Sequence, residues 1–240
     1  MSEFFTSETM QTAWDILHHE IPFAIWETFY VTLVSTAFAI VIGLPLGVLL
    51  VAGENGRILH IPKWILHVLN IIINLLRSVP FLILMMIVIP LTRFIMGTAV
   101  GTAATIVPLV IAAFPLVTRL VEGSLREISP NIIEAAQSMG ASPFQIIIKV
   151  MIPESIPSLI SNTTIALTTV LSYSAMSAMI GGGGLGKIAV NYGYYRYQFP
   201  VMVLAVIFLV ALVQIFQSVG TFCSVRCDKR LKNRKVKRQK

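Results

Sequence analysis

The sequence predicts an all-α integral membrane protein with five membrane-crossing helices. Three observations predict it. Of 240 residues, 56% are hydrophobic and 12% charged, and the mean hydropathy is +0.82, a composition foreign to water-facing domains. Four runs carry no acidic or basic residue other than histidine, over 28–53, 94–118, 155–186 and 200–225. Each is at least as long as the roughly 20 residues a helix needs to cross the hydrocarbon core. Nine of the 18 Lys and Arg fall in 226–240, directly after the last apolar run, where a basic flank orients membrane helices and touches anionic lipid. No aromatic residue interleaves with those charges, so nucleic acid is not an expected partner.

Residues 1–27 carry Glu3, Glu8, Asp15, Glu20 and Glu27 and no Lys or Arg, the reverse of a cleavable leader's basic start, so the segment is expected to be retained. The first span, 28–53, holds Gly43 and Gly47, a spacing that lets another helix approach closely. The second is less obvious. Residues 78–92 rise only about 22 Å as a helix, so the apolar 64–76 must contribute, giving one long helix bent near Pro80. Along it His67, Asn70, Asn74 and Arg77 share one face, which turns to partner helices and headgroup water or, at Arg77, lines the cytoplasmic part of a pathway. The third span, 94–118, has a second glycine pair, Gly97 and Gly101, and places Pro108 and Pro115 on nearly one face. On the fourth, Ser161, Thr164, Thr168 and Ser172 form a hydroxyl line suited to helix packing. The run 200–225 is the fifth.

Five spans put the termini on opposite sides of the plasma (inner) membrane. With the tail 226–240 in the cytoplasm, 1–27 lie outside and 28–225 form the transmembrane domain. Arg57, Lys63, Arg119, Arg126 and Lys149 then join the tail inside, against Arg93, Lys187 and Arg196 outside, as the positive-inside rule requires.

The long polar connection, 119–154, is punctuated like folded structure. Ser129-Pro130 offers an N-cap followed by proline at the first helical position, and Gly140 a stop after Met139. Ser142-Pro143-Phe144-Gln145 then reads as a second cap, with a capping-box glutamine. The first helix offers Ile132, Ala135, Ala136 and Met139 beside Glu134, a small apolar surface that suits either the chain's own helices or a partner's groove.

Glu134-Ala135-Ala136, three residues, Gly140, nine residues, then Val150-Met151-Ile152-Pro153 resembles the EAA loop of binding-protein-dependent ABC importer permeases, departing only at Val150 and Ile152. The resemblance covers roughly 27–217. Within the family, Arg77-Ser-Val-Pro-Phe81, Ile89-Pro-Leu-Thr-Arg93 with Gly97-Thr98, Tyr173-Ser-Ala-Met176 and Gly183-Gly-Leu-Gly186 are most similar to methionine importer permeases. It implies a type I importer permease fold whose coupling helix docks on a separate ATPase through Glu134, Ala135, Ala136 and Gly140, with Ser142 and Pro143 also counted among the ATPase-coupling residues. It also implies a second copy of the chain, two ATPase subunits that hold ATP and Mg, and an extracytoplasmic solute-binding protein or lipoprotein. Arg77, Ser78, Pro80, Tyr173, Ser174 and Met176 become candidates for the translocation path. Another amino acid, a betaine or a phosphonate would fit the same class, and a non-transporting membrane scaffold is the alternative outside it.

The stretch Ile180-Gly-Gly-Gly-Gly-Leu-Gly-Lys-Ile-Ala189 imitates a phosphate-binding loop, but Ile188 stands where Mg²⁺ needs a hydroxyl, and an apolar helix precedes it instead of a strand. Gly181, Gly182, Gly183, Gly184 and Gly186 are read instead as a turn or hinge near an outer gate. No nucleophile, general base or metal constellation stands out, Cys223 and Cys227 read as reduced thiols, and the chain is not expected to be an enzyme or to bind a cofactor itself.

Overall fold

The structure is a computed structural model that describes residues 7–54 and 58–228. Beyond Asp228 the basic tail falls outside the described residues, as does Arg57. Every described element is helical: α1 Ser7–His19, α2 Ile21–Gly53, α3 Lys63–Ser78, α4 Phe81–Met96, α5 Ile106–Arg126, α6 Pro130–Ser138, α7 Pro143–Ile146, α8 Ile152–Ser177, α9 Gly184–Ile188 and α10 Phe199–Cys227. Four stretches, Ile21–Gly53, Ile106–Arg126, Pro143–Ile180 and Phe199–Cys227, are long and apolar enough to cross a membrane. The α3–α4 pair makes a fifth if it is one span.

The helix boundaries correct four of the sequence expectations. At Val79-Pro80 the chain does not bend gently: α3 and α4 are separate helices that meet at 111°, because Pro80 has no N–H to continue the ladder and disfavours helix at Val79. The third span starts later, at Ile106, since Phe94–Met96 close α4 and 97–105 form a connection. Its glycines serve backbone turns rather than helix packing: Gly97 has φ +74, Gly101 has φ +104, and an added Cβ at either would meet nothing within 4 Å. The fourth stretch begins at Pro143, well before 155, and continues from α7 through a π-helical turn, Ile147–Met151, into α8. Pro153 removes the N–H that an α-helix would direct at Lys149, just where the backbone widens.

The helices fall into two compact units. Among the described residues, one comprises 7–38, 79–113 and 167–216. Its core joins Ala13 and Ile16 of α1, Ile21 and Ala24 of α2, Leu171 of α8, Leu185 and Ile188 of α9, and Val201, Ala205 and Leu212 of α10. Phe29 stacks on Phe216 at 5.6 Å and Phe81 on Tyr173 at 4.4 Å, and such offset ring pairs each add about 0.5–1.5 kcal/mol beyond their buried area.

The other unit comprises, among the described residues, 39–54, 58–78, 114–166 and 217–228. Here the Gly43 and Gly47 expectation holds: a Cβ on Gly43 would lie 2.8 Å from Val117 Cγ1, and one on Gly47 2.7 Å from Val121 Cγ1. Asn162 Nδ2 donates to Leu120 O at 3.1 Å and Ser124 Oγ at 2.8 Å, and Thr164 packs into the space Gly220 leaves. At the end of α5, Glu122 accepts from Arg119 Nη1 at 2.6 Å and from Arg126 Nε and Nη2 at 3.1 and 2.8 Å. Arg126 also reaches Glu54 at 2.6 Å, and Arg119 Nη2 donates to Asn74 Oδ1 at 2.8 Å.

Candidate functional site

The helix expected from the EAA-like stretch is present as α6, Pro130–Ser138, one residue short of the predicted end. Ser129 occupies the N-cap position before Pro130, but its hydroxyl makes no cap hydrogen bond, a correction to the sequence reading; Pro130, lacking an N–H, leaves one fewer donor to satisfy. At the far end Gly140 has φ +76, a conformation that costs a side-chain-bearing residue about 1–2 kcal/mol. Its N–H bonds to Gln137 O at 2.9 Å and that of Ala141 to Ala136 O at 3.1 Å, closing the helix. Ser142 and Gln145 form the predicted capping box: Ser142 N donates to Gln145 Oε1 at 2.9 Å, and Gln145 N to Ser142 Oγ at 3.4 Å.

These bonds make a short rod held at both ends. Before it, Leu125 and Ile128 are buried and Ser158 Oγ donates to Glu127 Oε1 at 3.0 Å, fixing the entry to α6 against α8. Along it, Ala136 is buried and α6 packs on the π-helical turn, where Ile147 and Met151 are buried. After it, Ile146 anchors the exit. The opposite face is bare. Glu134, Ala135, Gly140, Ser142 and Pro143 are exposed, and Met139 and Phe144 are 81% and 70% exposed, large for apolar side chains on a polar connection. Of the six residues singled out in this loop, the chain's own packing uses only Ala136.

In the first unit the structure places Tyr173 against Phe81, and buries Ser174, whose hydroxyl donates to Leu171 O at 2.8 Å; Met176 is exposed. Pro80 is the N-cap of α4. In the second unit Arg77 is exposed, and the exposed Ser78 hydroxyl donates to Asn74 O at 2.8 Å.

The glycine stretch is a packed corner. Gly181 and Gly184 have φ +95 and +76. Gly186 lacks room for a side chain, since its Cβ would sit 2.7 Å from Ala175 Cα. The amides that imitate a phosphate cradle are taken by the chain's own oxygens: Gly184 N donates to Glu27 Oε2 at 2.8 Å and Leu185 N to Thr28 Oγ1 at 2.9 Å. Thr102 Oγ1 donates to Glu27 Oε1 at 2.5 Å, and Gly101 N to Gly181 O at 2.9 Å. Nearby, the Tyr192 hydroxyl donates to Glu20 Oε1 at 2.6 Å, which raises the phenol above its ordinary pKa, and Arg196 lies 4.7 Å from the Tyr192 ring centre. In the sequence Glu27 is only part of an acidic composition; its partner 157 residues away leaves no local signal.

Comparison with known proteins gives a consistent result. The chain is 46% identical over 208 residues to a Vibrio cholerae protein named probable D-methionine transport system permease protein MetI, covering 86% of this chain and 92% of that one. It is 47% identical over 152 residues to the Escherichia coli K12 D-methionine transport system permease protein MetI, covering 63% and 70%. A chain of the MetNI methionine ABC transporter, solved in inward-facing conformations, is 40% identical with a TM-score of 0.84, covering 94% of this chain and all of that one. Residues 39–232 match the model of the binding-protein-dependent transport system inner membrane component, and the chain belongs to that family.

Proposed function

We infer that the chain is the membrane-spanning permease subunit of an ATP-driven importer whose cargo is methionine. The carrying observation is α6: a rod pinned at both ends that turns Glu134, Ala135 and Met139 away from its own chain. A fixed rod transmits a push, and an exposed apolar tip needs a groove. In this reading the tip seats in an ATPase subunit carrying ATP and Mg, and nucleotide-driven closure of two such subunits rocks two copies of the permease between outward- and inward-open states. Residues 1–27 face outward and the tail inward, and an extracytoplasmic binding protein or lipoprotein delivers the cargo. Arg77, Ser78, Pro80, Tyr173, Ser174 and Met176 line or flank the path. A hinge at Gly181–Gly186 would have to open the Glu27 contacts to Thr102 and Gly184.

The cargo assignment is supported by the names of relatives that align over most of their length. The test is uptake of labelled D- and L-methionine by vesicles containing the permease, its ATPase and its binding protein. ATP-dependent accumulation competed by unlabelled methionine, and not by a betaine or phosphonate, is expected. Accumulation of a betaine or phosphonate instead would reassign the cargo, and ATP turnover without accumulation of any of these would favour a scaffold.

A further inference from the structure

One end of α2 borders a cavity that the proposed function does not call on. The helix has 33 residues and rises about 50 Å, more than the roughly 40–45 Å of a bilayer with its headgroups, so its Gly53 end reaches headgroup level. There an open cavity of about 620 Å³, within the usual range of small-molecule sites, is lined by Gly53, Glu54, His60, Lys63, Leu66 and His67. Glu54 accepts from Arg126 at 2.6 Å, so its charge is answered from outside the cavity. His60, Lys63 and His67 are exposed, and their side chains make no hydrogen bond or ion pair with another described residue. The cavity therefore presents three unanswered side-chain donors, one of them a full cation, beside a carboxylate already paired with Arg126.

Two stripes run side by side from this cavity along α3. Lys63, His67, Asn70 and Asn74 follow at helical spacing on one, and Trp64, Val68, Ile71 and Leu75 on the next. The second stripe is bare: those four side chains are 68%, 46%, 45% and 62% exposed, over about 16 Å of helix. A headgroup-level pocket whose one unpaired charge is the Lys63 cation, opening onto an apolar strip, matches one kind of molecule, with a phosphate at one end and a hydrocarbon chain at the other.

We propose that this cavity and strip bind an anionic phospholipid, its phosphate accepting from Lys63, His60 and His67 and an acyl chain lying along Trp64, Val68, Ile71 and Leu75. The inference rests on the membrane location of the permease and is independent of its cargo. Native mass spectrometry tests it on the intact permease–ATPase complex taken from bilayers of equal phosphatidylglycerol and phosphatidylcholine. The wild type should retain phosphatidylglycerol preferentially, Lys63→Gln should lower that retention about fivefold, and adding His60→Gln and His67→Gln should abolish the preference. Excess inorganic phosphate should leave the bound lipid in place, because it offers no acyl chain.

Equal retention of the two lipids by the wild type, or unchanged preference in the triple variant, would overturn the proposal. Displacement by free phosphate would assign the pocket to a soluble anion. A Trp64→Cys crosslink to the second copy in lipid-free complex would assign the strip to the dimer; either outcome refutes the lipid. Should the variants fail to assemble, the wild-type lipid ratio and the phosphate competition decide alone. Methionine uptake that persists while lipid preference is absent would count against this site only.

Discussion

Gly140 and Gly186 are both glycines at the end of a short motif, and the structure asks opposite things of them. Gly140 needs its conformation: φ is +76, and a Cβ would meet nothing within 4 Å. Gly186 needs its emptiness: a Cβ would sit 2.7 Å from Ala175 Cα, a backbone atom that cannot rotate away. The first belongs to a rod projecting from its unit, the second to a corner folded into its own. An exposed turn keeps space around it, whereas a corner that fixes helices against each other has none to spare.

Substitutions sharpen the contrast, beginning with the largest expected effect. Gly186→Ala should destabilise the permease by about 3 kcal/mol, the upper end of ordinary overpacking, read as a lowered Tm in detergent; an unchanged Tm would mean the corner is loose. Glu27→Gln should cost about 1–3 kcal/mol in the same assay, because an amide group replaces an oxygen that accepts from Thr102 or Gly184. Gly140→Ala should cost about 1–2 kcal/mol through φ alone, and Gly140→Asn should recover much of it, since Asn tolerates that region. An Asn as harmful as Ala would make space the requirement there too. Arg126→Gln should cost no more than about 1 kcal/mol, since Arg126 and Glu54 are 49% and 46% exposed and Arg119 still serves Glu122.

The two regions also differ in how far the sequence exposes them. The rod is legible because its signals are local: Pro130, Gly140, and the Ser142 and Gln145 pair lie within a few residues of the turns they make. The corner is legible only as glycine content. What holds it is Glu27 and Thr28 reaching across 157 residues, and nothing near either residue announces the partner. The same holds for Arg119, Glu122, Arg126 and Glu54: the sequence marks the two arginines only as charges on the inner side, and the fold joins all four into one connected network. The start of the third span is hidden for a related reason. Absence of charge marks a span in the sequence, and 97–105 is an uncharged connection, so loop and helix merge until the positive φ of Gly97 and Gly101 separates them. Gly43 and Gly47 are legible because in a long uninterrupted helix small residues have little use except close approach.

The central claim is that the bare face of α6 seats in a separate ATPase, and crosslinking from its tip tests this most directly. In a chain whose Cys223 and Cys227 are replaced by serine, Met139→Cys should crosslink to the ATPase subunit in assembled complex, and nucleotide should alter the yield. Crosslinks that form only within the permease, or labelling of the introduced thiol by an impermeant reagent from outside sealed cells, would contradict the account.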